Sequence, residues 1–167
     1  MADAVAPLIP RDGSLVLSDG AALTLTVLYT DGDLKIGNIS QGNLVVQAFK
    51  DRGTPYSLRG TEIQEISVSF SCHAVMTVGA SSPLEAVRKT GTWAAATSTT
   101  PSASGGFEVH TVQAVWTGER SNFGATADST LTLKKVRFTG SFSEGTPGMF
   151  SFEGIAYIFA GTDFAIT

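Results

Sequence analysis

The chain has 167 residues, 43% of them hydrophobic and only 16% charged, with a formal net charge of −4 and a single cysteine. That length suits one domain with a real core. The acidic balance argues against a nucleic-acid binder, which relies on a basic stripe to neutralise phosphates. The lone Cys72 excludes an internal disulfide framework. The opening Met-Ala-Asp-Ala-Val-Ala-Pro carries no charged leader followed by an apolar run, and no later stretch is long enough to span a membrane, so a soluble protein made in a cytoplasm is expected.

In chain order, the first strand expected is short, Leu15 to Leu17, followed by a Ser18-Asp19-Gly20 turn. Leu23, Leu25, Val27 and Tyr29 then alternate with threonines, which is the period of a half-buried strand. Asp31-Gly32 is a two-residue hairpin signal and predicts a return strand from Asp33 to about Gly37. Leu44 to Phe49 reads as the next strand, and Lys50 to Gly60, with Gly53 and Pro55 inside it, reads as a loop. Glu62 to Cys72 has the cleanest alternation. Ile66, Val68, Phe70 and Cys72 share one face, and Ser67, Ser69 and Ser71 the other.

One helix is expected. Ser82-Pro83-Leu84-Glu85 has the form of a capping box with proline in the first turn, and Gly91 is placed to end the helix. At about two turns it needs a sheet to pack on. Residues 94–106 are small, polar and aperiodic and predict a mobile loop. Phe107 to Thr117 resumes as a strand, and Gly118 to Asp128 is a loop.

The last third is the most telling. Thr130 to Phe138 and Met149 to Phe159 read as two long strands joined through Ser143 to Gly148. In the first of them Leu131 and Leu133 are out of phase with Val136 and Phe138. A one-residue bulge at Lys134-Lys135 would bring all four to the core. The second is apolar on both sides: Phe150, Phe152, Ala156 and Ile158 point one way, Ile155, Tyr157 and Phe159 the other. A solvated antiparallel strand needs one apolar face. The second face therefore calls for a cover, either the helix or a neighbouring subunit. About eight antiparallel strands and one short flanking helix predict a mainly β domain over residues 1–167, a sandwich or barrel.

Catalytic chemistry finds little support. Cys72 and His73 are neighbours on a strand and so face opposite ways, and a pairing of Cys72 with His110 has no sequence signal. No metal-binding spacing occurs, and the glycine-rich spots lie between strands rather than before a helix. Glu62 and Glu65 face apart and read as solvated charge. The chain is expected to be no enzyme and to use no cofactor or metal. The local basic cluster Lys50, Arg52 and Arg59 reads either as a solvated loop or as a contact for an acidic patch on a neighbour. A sugar-binding β-module, with Trp93, Trp116, Tyr29, Tyr56 and Phe123 as an aromatic platform, is the competing reading. Trp116 on its alternating strand and Trp93 behind the helix both suit a core better.

With these residues laid out, the chain resembles the tail tube (major tail) proteins of long-tailed, siphophage-like bacteriophages. The resemblance is carried by order and local pattern along nearly the whole length. Hairpins with Asp-Gly turns come first, then Arg52-Gly-Thr-Pro-Tyr56 before Glu65-Ile-Ser-Val-Ser-Phe70. The capped Ser82-Pro-Leu-Glu-Ala-Val-Arg88 follows, then Leu131-Thr-Leu-Lys-Lys-Val-Arg-Phe138, Phe142-Ser-Glu-Gly145 and Phe150-Ser-Phe-Glu-Gly-Ile-Ala156. It implies a virion protein, synthesised in the host cytoplasm, whose hexameric rings stack into a hollow tube for passage of DNA without specific binding. Other tail proteins, such as the tape measure and the tail terminator, would be partners, and no membrane would be. It further implies that residues 50–60 reach the adjacent ring and that residues 1–10 form an arm ordered on assembly. On this resemblance Lys50, Arg52, Tyr56, Arg59, Ile155, Tyr157 and Phe159 are expected at subunit contacts, and Asp31, Asp33, Glu62, Glu65 and Asp128 facing the lumen. A capsid decoration or tail-completion protein on a related fold is a further alternative.

Overall fold

The computed structural model describes residues 13–27, 34–39, 46–51, 54–60, 64–73, 82–97, 109–118, 127–144 and 148–167. The expectations for the 1–10 arm, Asp31, Asp33, Arg52, Glu62 and most of the 94–106 loop lie outside these residues.

The described residues form ten strands: β1 (Gly13–Ser18), β2 (Thr24–Val27), β3 (Lys35–Gly37), β4 (Val46–Asp51), β5 (Thr54–Gly60), β6 (Gln64–His73), β7 (Val112–Gly118), β8 (Ser129–Ser143), β9 (Met149–Ile158) and β10 (Phe164–Ile166). Eight form one antiparallel sheet in the order β2-β1-β7-β8-β9-β6-β3, with β10 beside β8; β4 and β5 form a separate two-stranded sheet. The protein is thus mainly β, with eight antiparallel strands in one sheet and a short helix.

The sheet cannot be flat. Six inter-strand spacings separate β2 from β3, roughly 29 Å in a flat sheet. The seven chain steps from Val27 to Leu34 span at most about 25 Å. The sheet therefore curls, and its two halves meet: Ile36 and Val68 on one side line a small interior space with Leu15, Ala114 and Leu133 on the other. The core inside the curl is built from the alternating residues of each strand, among them Leu15, Leu17, Ile66, Val68, Phe70, Val112, Leu133, Val136 and Phe152, all at most 2% exposed.

The β8 bulge forms where the apolar phase predicts it. Val112 pairs with Val136 and Ala114 with Leu133, so two steps on β7 span three on β8. Leu133 and Val136 are consequently both buried, with Lys134 and Lys135 between them. Further along, two glycines make room for rings. A Cβ on Gly154 would lie 2.5 Å from Phe138 Cδ1, and one on Gly140 2.7 Å from Phe152 Cε1. Phe138 and Phe152 both pack on Phe70, edge-on at 5.4 Å and stacked at 5.0 Å respectively.

Helix α1 (Pro83–Arg88) starts at Ser82, whose hydroxyl accepts the Glu85 N–H at 3.5 Å. It ends two residues earlier than expected: Lys89 takes the left-handed conformation (φ 56°), and Gly91 instead opens a following 3-10 turn, Gly91–Ala95. The Glu85 carboxylate reaches forward to the Thr92 N–H at 3.0 Å, tying the helix to that turn. The helix packs against β8, β2 and the turn, and Ala86, Trp93 and Ala96 are buried in the core cluster.

Three expectations need correction. First, β3 pairs with β6 and β2 with β1, so the described parts of the two strands flanking Asp31-Gly32 are not hydrogen-bonded to each other. Second, the described residues of the 50–60 segment are strand rather than loop: Lys50 and Asp51 end β4 and Thr54–Gly60 is β5, with Pro55 tolerated because the two-stranded sheet leaves each strand an edge. Lys50 faces Pro55 and Phe49 faces Ser57, which leaves Tyr56 as the extra residue of a bulge. Third, the start of the 94–106 segment is held: Ala94 and Ala95 belong to the 3-10 turn, Ala96 is 2% exposed, and the Thr97 N–H is bound by Asp19.

Candidate functional site

The site that stands out is the outer face of the sheet where β6, β9 and β8 lie side by side. Register places Glu65 opposite Tyr157, Ser67 opposite Ile155, and Ser69 opposite Glu153. From the other flank Arg137 meets Ile155 and Thr139 meets Glu153. All of these residues but Glu65 border a shallow groove of about 490 Å³. Strand alternation dictates this face. Phe150, Phe152 and Ala156 turn inward and are buried, so Ile155, Tyr157 and Phe159 must turn outward.

Outward they remain open. Ile155 is 39% and Phe159 50% exposed, whereas Tyr157 is half-buried with its ring 6.5 Å from that of Phe159. Helix α1 packs against β2 and β8, so it leaves this face uncovered. Arg137 and Glu153 are exposed on either side of Ile155, and neither forms an ion pair with the other among the described residues. Lys35, exposed beside Ser69, adds a second cation to the same surface. The face is therefore apolar along its centre and close to neutral around it.

Phe159 is also where the strand is anchored. Lys135 projects from the β8 bulge, stands 5.4 Å from the centre of the Phe159 ring, and pairs with Asp163. Asp163 sits in a 3-10 turn (Gly161–Asp163) and is 3% exposed. Its second oxygen accepts the Phe159 and Ala160 N–H groups at 3.0 and 2.9 Å. Burial alone would raise its carboxyl pKa; the Lys135 ammonium and the two amides outweigh burial and hold it below the ordinary value. Asp19, directly after β1, is a second clamped carboxylate. One oxygen accepts from Ala21 and Leu23 and the other from Thr97, so its pKa is lowered against its burial in the same way.

The remaining site expectations divide cleanly. Glu65 and Asp128 are exposed, and Lys50 is exposed on β4. Tyr56 and Arg59 lie on β5. The acidic group expected at a lumen is not brought together among the described residues, because Glu65 stands on the outer face of β6 and Asp128 immediately precedes β8. The platform of aromatic residues loses Trp93, which is fully buried, and Trp116 is half-buried over Gly13. The nucleophile candidates fall apart as well. Cys72 is 1% exposed and its thiol is pushed up to about 11 by burial, while His73 faces solvent. His110 places Nε2 2.9 Å from the Ala86 carbonyl, not at the thiol. No group of three or more potential metal ligands occurs among the described residues. Sequence reading missed Arg137 and Glu153 as part of the face, although the alternation of β9 puts Glu153 beside Ile155.

No family model, curated protein or solved structure matches this chain.

Proposed function

We propose that the protein is a self-assembling structural subunit, of the kind its sequence resembles: a phage tail tube protein whose copies form rings that stack into a hollow tube. The observation that carries this reading is the outer face of β9. A strand already buried on its inner side presents Ile155, Tyr157 and Phe159 outward, with two of the three largely open to solvent. At about 25 cal/mol per Å² of apolar surface, covering such a strip is a driving force for association. The polar groups beside it, Arg137 and Glu153, suit the rim of a contact, where charge sets register and partner choice more than affinity. The β4–β5 hairpin supports the same reading. Among the described residues no third strand joins it; a two-stranded ribbon is marginal in water, and a neighbouring copy would supply the surface that stabilises it.

Negative-stain electron microscopy of the purified protein across a concentration series tests the proposal. Six-fold rings or hollow tubes are the expected result. A protein that stays monomeric at the highest concentration, and in the presence of tail components able to initiate assembly, would count decisively against it.

A further inference from the structure

We propose that the Lys135–Asp163 pair is a latch that holds the last strand, β10, as a separately releasable element on the edge of β8. The argument begins with how β8 is shared. From Val136 to Ser143 its partner on this side is β9, and from Leu131 to Leu133 it is β10. The change of partner falls at the Lys134-Lys135 bulge, which is also where the chain leaves β9 and turns through residues 159–163. Lys135 therefore emerges where β8 changes partner, and Asp163 closes that gap from the other side.

The attachments of β10 are few. Three residue pairs join it to β8, and Thr167 exchanges two backbone hydrogen bonds with Thr130, at 2.7 and 2.9 Å. Among the described residues no strand pairs with its other edge, and Ile166 is 68% exposed. β9, by contrast, is paired with β6 from Met149 to Ile158 and with β8 from Met149 to Ala156. The single buried carboxylate of Asp163 thus binds the two amides of the turn and the Lys135 ammonium together. Removing it loosens the turn and the strand beyond it, whose partly buried Phe164 packs on the margin of the core, while the buried cluster itself, built from other strands, keeps its internal contacts. Local opening of this kind follows from low contact density and open backbone edges. It would uncover the β8 edge from Leu131 to Leu133, a set of unpaired backbone groups able to receive another strand.

Hydrogen–deuterium exchange on full-length Asp163→Asn, Lys135→Met and Asp19→Asn tests this. Exchange of the 159–167 amides should rise at least tenfold in Asp163→Asn and less in Lys135→Met, because Asp163 also holds the turn amides. The β6 and β7 amides should remain at wild-type rates in both. Asp19→Asn, at the other clamp, should leave 159–167 unchanged. Unaltered exchange at 164–166 in both latch variants would overturn the proposal. So would a rise shared equally by the core strands, which would mean that β10 opens only with the whole domain. If Asp163→Asn does not fold, Lys135→Met alone decides between these outcomes, since it leaves both amide bonds to Asp163 in place.

Discussion

Replacing Gly154 by alanine adds one methyl group, and the structure says that it has no room. The new Cβ would lie 2.5 and 2.7 Å from two carbons of the Phe138 ring and 3.0 Å from the Arg137 carbonyl oxygen. The ring cannot move aside freely, because Phe138 is 8% exposed and stands edge-on to Phe70, which is itself stacked on Phe152. The carbonyl is worse, being part of the β8–β9 ladder in which Arg137 faces Ile155 and Phe138 faces Gly154. Overpacking of this sort costs about 1–3 kcal/mol. The loss of chain freedom in the unfolded state returns about 0.4–1 kcal/mol. The net expectation is a destabilisation of about 1–2 kcal/mol, or a fall in Tm of roughly 2–8 °C for a chain of this size. Urea unfolding followed by circular dichroism, at a concentration too low for assembly, measures it. Gly161→Ala is the matched control: its Cβ would meet nothing within 4 Å, so it should be neutral or slightly stabilising. Trimming the ring in a Gly154→Ala/Phe138→Leu double variant should recover about 1 kcal/mol relative to the sum of the single changes. A Gly154→Ala protein as stable as wild type, or a double variant with no coupling, would refute the claim that ring and glycine are fitted to each other.

Ile155→Glu should leave stability within about 0.5 kcal/mol, since the residue is 39% exposed, yet abolish rings and tubes in micrographs. Retained assembly would remove the β9 face from the subunit contact. Folding holds the carboxyl pKa of both Asp19 and Asp163 below the ordinary carboxylate value. Their contribution is therefore fully present above that value and is lost as pH falls through the lower folded pKa. Thermal scans from pH 6 to pH 2 should show a steep acid-side loss, shallower in Asp163→Asn; an unchanged slope in that variant would contradict the assignment. The Cys72 thiol, 1% exposed and raised to about 11, should resist a disulfide reagent at pH 8 in the folded protein and react at once in denaturant. Rapid labelling of the native protein would place the thiol elsewhere.

Much of the fold was legible because it depends on period alone. The alternation Ile66, Val68, Phe70, Cys72 became the buried side of β6, and the broken phase between Leu133 and Val136 became the β8 bulge. The Ser82 cap and the two-sided character of β9 were equally plain, since each is a local pattern of a few residues. The candidate face follows from the same alternation. The hairpin formed by β4 and β5 was not legible, because Gly53 and Pro55 are the residues of a loop and only an edge position excuses a proline in a strand.

Partnership was decided elsewhere. That β3 joins β6 rather than β2 depends on the curl of the whole sheet, a property of seven strands at once. The Lys135–Asp163 and Asp19–Thr97 contacts join residues 28 and 78 positions apart, and each is an ordinary polar residue in its own stretch of chain. The same is true of Gly154 and Phe138, whose fit appears only once β8 and β9 are in register. The sequence determined which side of each strand is buried, because side-chain direction is a local consequence of backbone geometry. Tertiary structure decided which strands meet, which glycines must stay bare and which carboxylates are clamped, because those depend on distances between segments that no local pattern contains.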